Sequence, residues 1–261
     1  VTLVAVVGDC TTTTCVALAA GWSGDDDVLV AEADGSGGSL AAWLDVPTSP
    51  SLASVVAIGA DAGLDTVRAA SVLTRSGVRL LPAPVRAAAA RRAVHEAAST
   101  LFPRLAATPA VTVLADGGRD GWMPLASVAS TVVLVHRQTP SSAAAAAVRL
   151  ERLVEQVETL RAVDVPLVIA VVGDEPFDPV EMIGHVDGEV PHTVTATVVL
   201  PVDPLAAAVL AGRTGVSAKR LARLPLMRVA VTAGRTIRQL HTPARPLTSV
   251  PRGDPPTEVV P

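Results

Sequence analysis

One repeating pattern limits what this chain can fold into: short runs of Val, Ile and Leu alternate with longer alanine-rich segments whose apolar residues share one helical face. Apolar runs without a polar alternation suit strands covered on both sides, which occur in parallel sheets joined by crossover helices. Strands are predicted over residues 2–7, 28–33, 78–81, 111–115, 132–136, 167–172 and 194–200. Helices are predicted over 12–20, 64–76, 85–101, 141–162, 179–185 and 205–211. The expected fold class is α/β, a doubly wound, mostly parallel sheet between two helical layers. One domain is expected over 1–241, ending in a basic helical segment over 213–240 with a break near Pro225. The Pro- and Thr-rich stretch over 242–261 has no apolar periodicity and reads as a flexible tail.

Composition narrows the function classes. The chain is 49% hydrophobic but has no Tyr, two Phe and three Trp, so its core is aliphatic and stacking platforms for bases are not expected. Its apolar runs, such as 163–172, fall short of the roughly 20 residues that cross a bilayer. Residues 1–7 read as a strand rather than a basic leader, and Cys10 and Cys15 give no disulfide framework. A cytoplasmic protein is expected, free or peripheral to the membrane or at the cell pole. The five histidines show no i, i+3 or i, i+4 pair, so no histidine metal site is expected. Between 204 and 253 there are nine Arg or Lys and no Asp or Glu, a basic element on an otherwise acidic chain.

Polar or glycine-bearing turns follow several strands, at 8–10, 34–38, 116–118 and 173–174. In an open α/β sheet the carboxyl ends of the strands form the ligand crevice, so these turns are expected to converge. The first 20 residues, VTLVAVVGDCTTTTCVALAA, give a strand, a turn at Gly8, four threonines and an apolar helix. Backbone N–H groups at such a turn suit phosphate, and hydroxyls suit magnesium.

This opening is similar to that of the MinD/ParA group of P-loop ATPases, whose deviant Walker A loop runs Lys-Gly-Gly-x-Gly-Lys-Thr-Thr. Residues 14–19, Thr-Cys-Val-Ala-Leu-Ala, resemble the helix that follows that loop. In this register Val6 falls on the signature lysine, Val7, Gly8 and Cys10 on the three glycines, Thr11 on the phosphate-binding lysine, and Thr12 and Thr13 on the magnesium-side hydroxyls. The run 28–34 resembles the family's second-strand motif, with Glu32 and Asp34 on its two acids. The run 111–118 resembles the Walker B strand, with Asp116 on its acid. The resemblance spans about 2–240 and implies a P-loop NTPase fold, a nucleotide site at Gly8, Asp9, Cys10, Thr11, Thr12, Thr13 and Thr14, magnesium at Thr12 and Asp116, and catalytic roles for Asp34 and Asp116.

Both family lysines are missing, since the single lysine is Lys219, and no Arg occurs in the first 67 residues. Phosphoryl transfer depends on positioning and on neutralising the γ-phosphate, so hydrolysis at a useful rate is not expected. The expectation is a noncatalytic or very weak ATPase acting as a positioning or scaffold component for chromosome partitioning, septum placement, or a polar pilus or secretion apparatus. It requires no cofactor; weak ATP or ADP binding with magnesium stays open. Expected partners are a second copy of the chain and a protein of a membrane-associated or partitioning machine. Two alternatives stand beside this: an active ATP-dependent switch of the same fold, and a DNA-binding module using the basic segment. Lys219, Arg220, Arg223, Arg228, Arg235 and Arg238 are the residues for contact with DNA, an anionic membrane surface or an acidic partner, or else a solvated helix face. Simpler roles also remain open at the loop, with Thr12 capping the first helix and Asp34 or Asp116 closing Asx turns.

Overall fold

The computed structural model describes residues 2–22, 26–139 and 141–240; His241 and the tail read over 242–261 lie outside them. In chain order the elements are β1 (Thr2–Gly8), α1 (Thr11–Gly21), β2 (Asp27–Glu32), α2 (Leu40–Leu44), α3 (Leu52–Val56), α4 (Leu64–Ala70), β3 (Val72–Leu73), β4 (Arg79–Leu81), α5 (Ala87–Glu96), α6 (Phe102–Ala106), β5 (Val111–Gly118), α7 (Met123–Ala126), β6 (Thr131–Arg137), α8 (Ala143–Arg161), β7 (Leu167–Val172), α9 (Pro179–Glu189), β8 (Val194–Leu200), α10 (Pro204–Leu210), α11 (Ala218–Leu221) and α12 (Pro225–Gln239). A π-helical turn, Ala97–Leu101, joins α5 to α6.

The eight strands form one sheet in the order β3-β4-β2-β5-β1-β6-β7-β8, parallel throughout except for the β3–β4 pair. β1 lies between β5 and β6, and all seven of its residues are buried, which explains its continuous apolar run. Its side chains alternate between two cores. Leu3, Ala5 and Val7 join Leu153 and Val157 of α8 and Phe102 of α6 on one face. Val4 and Val6 join Val16 and Leu18 of α1 and Ala230, Ala233 and Ile237 of α12 on the other. This is the three-layer α/β arrangement expected from the apolar runs.

One local expectation is corrected. The helix predicted over 64–76 stops at Ala70, and Val72–Leu73 instead pair antiparallel with β4. Thr74 closes this hairpin by exchanging backbone hydrogen bonds with Val78 and Gly77, and Gly77 supplies the positive φ of 80°. The expected break near Pro225 falls between α11 and α12: Pro225 occupies the first turn of α12, where its missing N–H costs nothing.

Candidate functional site

β1 does not stop where a phosphate loop would begin. Val6, Val7 and Gly8 remain in the strand, paired with Val133, Leu134 and Val135 of β6. The Asp9 N–H donates to the Val135 carbonyl at 2.8 Å. With α1 opening at Thr11, only Asp9 and Cys10 connect strand to helix. Gly8 has φ 101°, and a Cβ there would lie 2.4 Å from the Val135 carbonyl oxygen, so the position accepts only glycine. Half-buried Cys10, at φ 50°, turns the chain into the helix. A phosphate cradle needs a run of unpaired N–H groups curled around the anion. Here the residues matched to the signature lysine and the first two glycines are spent on the sheet.

The threonines separate by role. Thr12 does not cap α1: Cys10 is the capping residue, with no side-chain cap. The Thr12 hydroxyl instead donates to Asp116 Oδ2 at 3.0 Å. Thr11, buried like Thr14, also hydrogen-bonds Asp116. Thr14 donates to the Cys10 carbonyl at 3.0 Å, and Thr13 is half-buried in the first turn of the helix. Asp116 is 2% exposed at the end of β5, and its Oδ1 accepts the Gly118 N–H at 3.2 Å. Burial pushes its carboxyl up to about 6, against the hydrogen bonds from Thr11, Thr12 and Gly118, and nearby Glu32 adds to the rise. Cys15, fully buried beneath this corner, has its thiol raised by desolvation and then by Asp116.

The two acids of the second-strand motif differ. Glu32 is buried, its Oε1 accepting the Ser39 and Leu40 N–H groups at 2.5 and 2.7 Å and its Oε2 accepting the Ala83 N–H at 2.8 Å. It pins the 33–39 turn and the exit of β4 to the sheet, and burial raises its pKa despite these bonds. Asp34 lies against Gly118, where an added Cβ would be 2.3 Å from its Cγ, and its Oδ1 closes an Asx turn on the Ser36 N–H at 2.7 Å. The turns after β1, β2 and β5 therefore meet at one end of the sheet.

The expectation of a loop without nearby positive charge is overturned in one respect. The Arg119 guanidinium meets Asp9 Oδ1 at 2.9 Å, and the Arg137 guanidinium lies 3.7 Å from Cys10 Sγ. Because β5 and β6 flank β1, arginines at their carboxyl ends reach the β1–α1 turn although they are more than a hundred residues away in sequence. Arg149 and Arg152 of α8 and His136 of β6 line the same opening, a cavity of about 890 Å³. Burial lowers the His136 pKa; Asp9 opposes it, and Arg149 adds a smaller push downward. These residues were missed because their reach follows from strand order; the available signal was their position directly after β5 and β6.

Lys219, Arg220 and Arg223 lie in and just after the short α11, and Arg228, Arg235 and Arg238 on α12; all six are exposed. α12 packs against α1, with Gly21 beside the Val231 backbone and Gly234 beside the Trp22 ring. Arg228 turns instead toward a cavity of about 800 Å³ shared with Asp174, Pro201 and Val202 at the ends of β7 and β8. The basic segment is thus separate from the Asp116 corner. No helix among the described residues is long and apolar enough to cross a membrane.

No family model and no curated protein sequence matches the chain. Solved structures do. A ParA family ATPase from Chlorobium tepidum TLS superposes with TM-score 0.63 at 13% identity, over 90% of this chain and 98% of that one. The septum site-determining protein MinD from Pyrococcus horikoshii OT3, complexed with Mg-ADP, gives 0.62 at 15%, over 92% and 96%. An ATP complex of a McdA variant from Cyanothece gives 0.56 at 12%, over 92% and 98%. Sequence identities this low speak to architecture alone, and the architecture is clear: the chain has the fold of the ParA and MinD family ATPases.

Proposed function

We propose that this chain is a degenerate MinD/ParA-like protein, noncatalytic or nearly so as an ATPase, serving as a spatial-positioning or scaffold component. Chromosome partitioning, septum placement and a polar pilus or secretion apparatus are the settings this reading covers. The observation that carries it is the course of β1, which runs through the positions where a phosphate cradle would form and leaves a two-residue turn. The missing lysines point the same way, although Arg119 and Arg137 soften the electrostatic part of the case.

Part of a magnesium corner is retained. The Thr12 hydroxyl and the Asp116 carboxylate are the hard oxygen donors such an ion takes, and they meet at 3.0 Å. They would hold magnesium with any bound ATP or ADP, and the ion would neutralise phosphate charge there. A homodimer is part of the reading, with a protein partner from a membrane-associated or partitioning machine. The exposed Lys219, Arg220, Arg223, Arg228, Arg235 and Arg238 are suited to an electrostatic contact with DNA, an anionic membrane surface or that partner.

The test is calorimetry with Mg-ATP run beside a steady-state turnover assay. Weak or no heat and turnover at background are expected. Turnover typical of lysine-bearing ATPases, lost in Asp34→Ala or Asp116→Ala, would replace this reading with an active switch.

A further inference from the structure

Beside the β1–α1 turn, four guanidinium groups share one cavity. Arg119 follows β5, Arg137 ends β6, and Arg149 and Arg152 project from α8. Among the described residues, the only carboxylate in its lining is Asp9. Among the described residues, none of Arg137, Arg149 and Arg152 pairs with a carboxylate. Arg137 reaches only a thiol, and Arg149 donates to the neutral Thr139 carbonyl and Ser141 hydroxyl. An unbalanced cluster of this kind, on a chain with net charge −4, concentrates positive potential at one concave spot.

Asp9 shows how the site treats an anion. Its Oδ1 takes the Arg119 guanidinium at 2.9 Å and its Oδ2 takes the Arg137 backbone N–H at 3.2 Å. Both carboxylate oxygens are thus used as two oxygens of an incoming phosphate would be. A planar guanidinium matches phosphate oxygens two at a time, which favours phosphate over a point-like anion. No Phe or Trp lines the cavity, so nothing in it would grip a base or an aryl group. At about 890 Å³ it is roomier than one phosphate needs.

We propose that this arginine-lined cavity binds an oligoanion of the phosphate class, as free pyrophosphate or as the phosphate chain of a nucleotide, and that Asp9 is its built-in competitor. An entering phosphate chain draws in the three uncompensated guanidiniums and takes Arg119 from Asp9. Releasing Asp9 frees the short turn that sets the start of α1, so occupancy of the cavity is coupled to the geometry of the Thr12–Asp116 corner. The inference needs no ATP turnover and stands apart from the scaffold reading.

The test is titration calorimetry of the full chain with sodium pyrophosphate, without magnesium. Saturable binding is expected that weakens about tenfold between roughly 50 and 300 mM salt. The double substitution of half-buried Arg149 and exposed Arg152, Arg149→Ala/Arg152→Ala, should weaken it about tenfold or more, with a folded-state circular dichroism spectrum retained. Asp9→Asn should tighten binding several-fold, a direction that a damaged fold does not produce. ATP binding as pyrophosphate does points to the free oligoanion as the ligand, whereas ATP binding at least tenfold tighter points to the nucleotide chain. No pyrophosphate binding, unchanged affinity in the double variant, or weaker binding in Asp9→Asn overturns the proposal. So does a hexaglutamate peptide that binds as tightly as pyrophosphate, which would make this a surface for acidic protein segments. ATP turnover at ordinary rates would sink the scaffold reading and leave this one standing.

Discussion

Asp116 and Glu32 sit side by side in register on β5 and β2; burial raises the pKa of both, but different groups hold them. For Asp116, burial outweighs the hydrogen bonds, and the folded state holds its proton up to about pH 6 where an ordinary aspartate releases it near 3.8. Below the lower value both states are protonated and the group is neutral in its effect. Between the two values the folded state binds more protons, so stability falls as pH rises, reaching a penalty of roughly 3 kcal/mol above pH 6. Asp116→Asn is therefore expected to raise the melting temperature at pH 7.5 and flatten its decline between pH 4 and 6; a lower melting temperature would refute this. Glu32→Gln should instead lower the melting temperature. An amide NH2 facing one of three backbone N–H donors leaves buried groups unsatisfied, at about 2–3 kcal/mol in a urea melt. Both acids could be picked out in the sequence at strand ends. Their difference could not, because it depends on the turns at 33–39 and 83 folding back onto Glu32 alone.

The α1–α12 contact is the element-scale feature most exposed to test. Gly21 lets the two backbones approach, since a Cβ there would be 3.1 Å from the Val231 amide nitrogen. Gly21→Val should wedge the helices apart and cost about 1–3 kcal/mol, seen as an earlier thermal melt. On the outer side of the same segment, Arg220→Ala with Arg223→Ala should stay within about 0.5 kcal/mol of the parent in stability. Unchanged DNA retention in that variant across salt concentrations would remove nucleic acid as a partner of the basic face. The long elements were legible because strands such as β1, β5 and β6 lack polar alternation and α8 runs 19 residues. α2 and α3, five residues each, and the two-residue β3 are too short to set up a period and are held by tertiary packing.

For the molecule as a whole, strand order decides which distant residues become neighbours. Arg119 and Arg137 reach the β1–α1 turn only because β1 is threaded between β5 and β6, a non-local fact that no window of sequence displays. The same threading governs what engineering can achieve at the turn. Placing lysines at Val6 and Thr11, the matched positions, would bury one ammonium in a strand fully enclosed by the sheet, and the double variant should unfold well below the parent's melting temperature. A chimera with a glycine-rich lysine-bearing loop in place of residues 6–11 should instead stay folded and gain Mg-ATP affinity by calorimetry. Single-residue changes thus cannot walk this chain back to a working nucleotide pocket, because the backbone at residues 6–8 is committed to the sheet instead of to a loop. Regaining the chemistry would take several simultaneous changes, each unfavourable alone in a strand already paired on both edges, so the loss behaves as a ratchet.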